Sequence, residues 1–244
     1  HYIVSDNLTL DFKAEHNKFD TTGRQIEIIQ DEGNPGNPFA VTLGAGFGLT
    51  EAITETDLDY RRQADGGDFS NNESNSYVLD VNYDWNYYEI RFTAAFVEYE
   101  YDEICDCDYI AAPLFTVPLQ EDYEQTSYEF RVASPTDQTV SWQAGIFYQD
   151  AELDFNDKIL IPAGNVGSPA QSVIPTAVAA ITGNPALGQS MSGTSAARDF
   201  EQDSEHFSVF SQATWNISDA WKASVGLRWS TEDKTGSREI NIFD

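Results

Sequence analysis

The amino-acid sequence predicts an all-β chain, an antiparallel transmembrane β-barrel wall of about seven strands. Three observations predict it. Apolar and polar residues alternate with a period of two, the links between alternating runs are by turns tight and long, and aromatic residues gather at both ends of the apolar faces.

The first run places Leu8, Leu10, Phe12 and Ala14 on one face and Thr9, Asp11, Lys13, Glu15 and Asn17 on the other. A second puts Tyr77, Leu79, Val81, Tyr83 and Trp85 opposite Val78, Asp80, Asn82 and Asp84, then turns near Asn86. It returns through Tyr88, Ile90, Phe92, Ala94 and Phe96, so that the apolar faces of the hairpin match. A second hairpin joins Tyr128, Phe130 and Val132 to Trp142, Ala144, Ile146 and Tyr148 through Ser134-Pro135-Thr136-Asp137, where Pro135 and Asp137 supply turn chemistry. A third runs from Val209, Ser211, Ala213 and Trp215 through Ser218-Asp219 to Trp221, Ala223, Val225, Leu227 and Trp229.

Against these tight turns stand long links from Asp20 to Ser76, Asp102 to Gln125 and Ala151 to Glu205, rich in Gly, Asn, Asp, Ser or Pro. Short turns at one rim and long loops at the other are the layout of an outer-membrane barrel, with short periplasmic turns and long extracellular loops. Trp85, Tyr87, Tyr88, Trp142, Trp215 and Trp221 lie beside the tight turns, and Tyr77, Phe96, Tyr99, Tyr148 and Trp229 lie toward the loops. The two groups read as interfacial girdles. The expected lipid face carries Leu8, Leu79, Phe92, Ile146 and Val225, and the expected lumen face carries Arg91, Arg131 and Arg228. The segment Pro162 to Ala197 is expected to be an unpaired extracellular loop with one short helix near Ala177 to Ile181.

Composition narrows the function. The chain has 244 residues and a formal charge of -28, with only 13 Lys and Arg, which excludes a phosphate-binding surface for nucleic acid. The charge is read equally as surface solubility, as the mark of a salty habitat, or as an acidic outer face that concentrates cations or basic ligands. The longest apolar stretch outside the strands, Val173 to Ile181, is too short for a spanning helix, and a mean hydropathy of -0.43 is compatible with barrel strands that face lipid with alternate residues. Cys105 and Cys107 are too few for a disulfide framework or a thiolate metal site; a small loop staple, two free thiols and pairing elsewhere all remain open.

Enzymatic chemistry is not indicated. Gly44-Ala45-Gly46-Phe47-Gly48 lacks the last glycine of a dinucleotide loop, no Gly-x-Ser-x-Gly elbow is present, and His1, His16 and His206 are scattered. No cofactor is implied. The candidate ligand-binding residues are His16 and His206, near the loop ends of strands, with Arg91, Arg131 and Arg228 on the polar face. Asp102, Asp106 and Asp108 are candidate ligands for a hard cation, although their spacing matches no calcium loop.

Three stretches resemble the TonB-dependent outer-membrane receptors. Tyr128-Glu129-Phe130-Arg131-Val132-Ala133-Ser134 is similar to that family's Glu-x-Arg-aliphatic-x-Ser strand, and Trp142-Gln143-Ala144-Gly145-Ile146-Phe147-Tyr148 to its Trp-x-Ala-Gly-x-aromatic-aromatic strand. Phe210-Ser211-Gln212-Ala213-Thr214-Trp215 with Gly226-Leu227-Arg228-Trp229-Ser230-Thr231 resembles its hairpin. The resemblance implies part of a barrel of roughly 22 strands with a plugged lumen, in the outer membrane of a Gram-negative bacterium. It also implies uptake of a scarce solute, such as a ferric siderophore, haem, cobalamin or an oligosaccharide, driven through TonB. On this reading 1–244 is one partial barrel domain, in contact with outer-membrane lipid and a small-molecule ligand. The plug, the energy-coupling box that meets TonB and the C-terminal strands are expected outside it, and no ligand contact carries over by position. The alternatives are a plugless porin and a soluble surface β-sandwich or adhesin.

Overall fold

The computed structural model describes residues 1–23, 26–27, 58, 60, 67–109, 112–218 and 220–242. It contains one antiparallel sheet with strands in chain order: β1 (Tyr2–Ser5), β2 (Leu8–Thr21), β3 (Phe69–Trp85), β4 (Tyr88–Cys105), β5 (Val117–Ala133), β6 (Val140–Leu160), β7 (Ser195–Ser218) and β8 (Trp221–Ile242). Helices α1 (Val173–Thr182) and α2 (Pro185–Ser190) stand between β6 and β7. Every strand pairs with its chain neighbours and β1 does not meet β8, so the sheet is an open piece of wall and not the two packed sheets of a sandwich. No helix among the described residues is long and apolar enough to cross a membrane, which says nothing of strands.

The turns at one rim are short, as the sequence indicates. Asn86, with φ of 55°, makes the left-handed corner between β3 and β4, a conformation asparagine tolerates well. At the β5–β6 turn, Ser134 N donates to Trp142 O at 2.8 Å, and Trp142 N donates to Ser134 Oγ at 2.8 Å.

Several expectations require correction. The seven expected strands are joined, among the described residues, by an eighth, Tyr2–Ser5, and Leu8–Thr21 therefore finds a partner inside the chain through Tyr2↔Leu10 and Ile3↔Thr9. The strands run much farther toward the long-loop rim than the alternation suggested: β2 reaches Thr21 and β3 starts at Phe69, β4 reaches Cys105 and β5 starts at Val117, and β6 reaches Leu160 and β7 starts at Ser195. Residues Ser195, Ala196 and Ala197, read as loop, pair with Leu160, Ile159 and Lys158. The short helix near Ala177 is longer, and a second follows it. Asn184 caps that second helix through Oδ1, which accepts from Ala186 N at 3.1 Å and Leu187 N at 3.2 Å. The Gly44–Gly48 stretch lies outside the described residues.

The register sets the two faces. Phe12↔Leu79, Leu79↔Ala94, Phe92↔Phe130, Phe130↔Ile146, Ile146↔Val209 and Ala213↔Val225 bring the apolar residues to one side. Arg91, Arg131 and Arg228 lie on the other. The polar side is concave at β6 and β7: Ala151, Ser204 and Ser208 on that side are buried, whereas Ile146, Phe207 and Val209 on the apolar side are exposed. Apolar outward and polar inward is the order of a barrel wall in lipid.

Candidate functional site

The inward face is the surface that a solute in a barrel lumen would meet, and the register divides it into two levels. The lower level lies between the aromatic girdles. Outward Trp85, Tyr88, Trp142, Trp215 and Trp221 mark its turn side, and outward Tyr77, Phe96, Tyr128, Tyr148 and Phe207 its loop side. From Trp85 to Tyr77 the strand covers roughly 27 Å, which at the usual tilt fills most of an apolar band about 25 Å tall. Tyr99, expected in the outer girdle, is instead on the inward face, paired with Ser74 and Tyr123.

At this lower level the three candidate arginines share one cross-strand row, which reads Asn82, Arg91, Arg131, Gly145, Phe210, Arg228. Asp80 Oδ1 accepts from Arg91 Nε at 3.0 Å, from Arg91 Nη2 at 2.9 Å and from Thr93 Oγ1 at 2.6 Å. The Arg228 guanidinium lies over the Phe210 ring, 5.8 Å from its centroid, and donates to Ser208 Oγ at 2.7 Å. This pairing of Arg228 with a ring two strand positions from the Ser208 hydroxyl was not readable from the sequence, since it depends on register.

The two candidate histidines are not brought together. His16 is on the outward face of β2, 2.9 Å from Asn75 Oδ1 through Nδ1, whereas His206 is on the inward face of β7, edge-on to Phe147 with centroids 5.7 Å apart.

Above the outer girdle the two faces of β4, β5 and β6 exchange character. Outward positions become acidic: Glu98, Glu124, Glu152 and Asp203 stand directly opposite one another across β4 to β7, and Glu73, Glu100, Asp122, Asp154 and Glu201 form a second row across β3 to β7. Like charges so placed repel. Inward positions become aromatic and apolar, with Tyr99, Tyr123 and Leu153 in one row and Tyr101, Glu121, Phe155 and Phe200 in the next. Tyr99 and Tyr123 stack at 5.2 Å, Tyr99 OH donates to Glu121 Oε1, and Ser70 Oγ donates to Tyr101 OH at 2.9 Å. Burial, then the Glu121 hydrogen bond and charge, push the Tyr99 phenol up to about 12. The wall ends in the ion pair of Arg198 with Asp157, whose carboxylate is buried. No alternation in a single phase announces this wall.

The three candidate aspartates part company. Asp102 is outward on β4 and accepts from Gln120 Nε2 at 2.9 Å, Asp106 is buried in the turn, and Asp108 Oδ2 accepts from Phe115 N at 3.3 Å. Among the described residues no group of three or more His, Cys, Asp or Glu could hold a metal ion. Cys105 and Cys107 form a disulfide, with Cα atoms 5.0 Å apart, which closes the question left open between staple and free thiols.

An open antiparallel wall with an outward apolar band, two aromatic girdles and a polar concave side defines a fragment of a large transmembrane β-barrel. The model of the TonB dependent receptor-like β-barrel matches residues 8–242, and the chain belongs to that family. No curated protein matches it in sequence. Among solved structures it is similar to the ferric yersiniabactin uptake receptor FyuA from Yersinia pestis, with a TM-score of 0.49 and 13% identity over 71% of this chain and 25% of that one. The chain thus spans about a quarter of that receptor.

Proposed function

We propose that this chain is a section of the wall of a TonB-dependent transporter in the outer membrane of a Gram-negative bacterium. The transporter takes up a scarce solute, such as a ferric siderophore, and is not an enzyme. The observation that carries the reading is the exchange of faces along β4, β5 and β6. Between the girdles the apolar side looks outward to lipid; above them the apolar, aromatic side looks inward, where only a solute or another part of the receptor could cover it. Stacking on Tyr99, Tyr123, Phe155 and Phe200 suits a solute with planar or apolar faces. Of the candidate residues, Arg91, Arg131 and Arg228 would line the lumen lower down, and His206, on the same inward face, would meet what passes.

An open sheet calls for further strands, and energy coupling for a contact with TonB made by an N-terminal region. The test is uptake of labelled ferric siderophores by cells that carry the complete protein, with and without a working TonB complex. Uptake that needs TonB and falls about tenfold in Tyr99→Ala/Tyr123→Ala supports the proposal. Uptake indifferent to TonB would point to a porin, and a product that stays in the aqueous phase to a surface adhesin.

A further inference from the structure

From Ile159 to Ala197 the sequence contains no Asp, Glu, Lys, Arg or His, although 22% of the chain is charged. At an ordinary charged fraction a stretch of that length would hold about eight to ten such residues. This segment comprises the loop that carries α1 and α2, and it is fastened to a second loop. Ala112 and Leu114 of the β4–β5 loop and Val173 of α1 form an apolar cluster, with Phe115, Ile174 and Ala177 packed against it. Val173 N donates to Pro113 O at 3.1 Å. Thr116 and Leu160, at the feet of the two loops, exchange both backbone hydrogen bonds at 3.0 and 2.8 Å. Two loops distant in sequence therefore share one core, and a segment without charges can join or leave that core without desolvating an ion.

The β4–β5 loop is itself held at its root. The disulfide ties Cys105, the last residue of β4, to Cys107 in the turn, and Asp108 Oδ2 then accepts from Phe115 N. A bridge across one residue closes too short a loop to act mainly through chain entropy. It acts by aiming the chain, so that Ala112 and Leu114 reach α1. We propose that the β4–β5 and β6–β7 loops form a single cap at the outer ends of β4 to β7, and that the Cys105–Cys107 disulfide is its redox-sensitive latch.

Cys105 is buried whereas Cys107 is partly exposed, so an incoming thiolate reaches the Cys107 sulfur. A dithiol supplies two electrons and two protons. Its first thiolate bonds to Cys107 Sγ as the Cys105–Cys107 bond breaks and Cys105 leaves as a thiolate that is then protonated. Its second thiol displaces Cys107, which becomes a thiol, and the reagent departs as a cyclic disulfide. With the aim of the loop lost, Leu114 leaves Val173 and the cap opens over the inward aromatic wall. The position of the cap at the outer mouth rests on the uptake reading; the latch does not.

The experiment reads the latch alone, on the complete protein purified in detergent. Elastase cleaves after small apolar residues, which abound in α1 and α2, and cutting there is followed by mass spectrometry. Oxidised protein should be cut slowly, and dithiothreitol or Cys105→Ser/Cys107→Ser should raise the rate at least tenfold while the β circular dichroism is unchanged. Val173→Asp, which breaks the shared core with the disulfide intact, should be cut fast already and gain nothing on reduction. Cutting of the wild type unaffected by dithiothreitol overturns the proposal, as does a reduction effect of equal size in Val173→Asp.

Discussion

Phe210 lies across Gly145 on the neighbouring strand, so closely that a Cβ at 145 would stand 2.6 Å from Phe210 Cζ and 2.7 Å from the Phe130 carbonyl oxygen. The glycine is thus a notch that seats an aromatic ring, and the ring in turn supports Arg228. Gly145→Val should destabilise the complete protein by about 1–3 kcal/mol, as overpacking does. Urea unfolding in detergent would show it, and the loss should shrink in Gly145→Val/Phe210→Ala, where the ring is removed.

The faces between the girdles differ in what they tolerate. Leu79 and Val81 look outward near the middle of the apolar band, so Leu79→Arg or Val81→Arg should cost about 2–4 kcal/mol in a bilayer. Gln143→Arg, on the inward side, should cost under about 1 kcal/mol. Folding into vesicles measures both, and equal penalties would contradict the assignment of the faces.

The strands were legible only where lipid imposes a single phase of alternation. On β6, Trp142, Ala144, Ile146 and Tyr148 are outward, whereas the apolar residues beyond them, Leu153 and Phe155, are inward. The hydrophobic phase slips by one residue between Tyr148 and Leu153, and the outward positions there are Glu152 and Asp154. A pattern sought in one phase therefore stops at Tyr148 and reads the remainder of a strand as polar loop. The same slip put Tyr99 on the wrong face, whereas the outer half of β7, with Arg198, Gln202, Ser204 and His206 inward and Asp199, Glu201 and Asp203 outward, is polar on both faces apart from the inward Phe200. The arginine row was half legible: alternation put Arg91, Arg131 and Arg228 on one face, but only the register aligns them and places Phe210 beside Arg228.

The opposed carboxylates above the girdle should weaken the outer part of the sheet. Replacing Glu124, which faces Glu98 on one side and Glu152 on the other, by Gln should stabilise it by about 0.2–1 kcal/mol for each opposed pair relieved. Hydrogen exchange at β4 to β6 would report the gain. The gain should fade as salt is raised, because these charges are in water and are screened within about 8 Å at physiological ionic strength.

Tyr99 gives a pH signature. Its phenol is pushed up to about 12, first by burial and then by Glu121, so the fold favours the protonated ring. Because the folded value lies above the unfolded one, this contribution to stability is complete below about pH 10 and is lost as pH rises through about 12. Burial raises the Tyr123 phenol as well, so tyrosinate absorbance should show late-titrating phenols, the latest of which disappears in Tyr99→Phe. Glu121→Gln should lower the Tyr99 value only in part, since burial is the larger cause.

Residues 1–244 expressed alone should not form a stable, water-soluble monomer. At one edge β1 pairs with only a few positions of β2, so that among the described residues most of β2, from Asp11 to Thr21, has no strand partner on its outer side. At the other edge β8 runs from Trp221 to Ile242 with its far side open, and Trp221, Val225, Leu227 and Trp229 are all exposed. Long unpaired edges template association in water, and at membrane depth each unsatisfied backbone group costs several kcal/mol. Neither water nor lipid therefore suits the isolated wall; closure by further strands would satisfy both edges. Sedimentation and near-ultraviolet circular dichroism of the expressed chain decide the matter. The expected result is association without a cooperative thermal transition, whereas a monodisperse monomer that melts cooperatively would mean that the sheet closes on itself and is no section of a wide barrel.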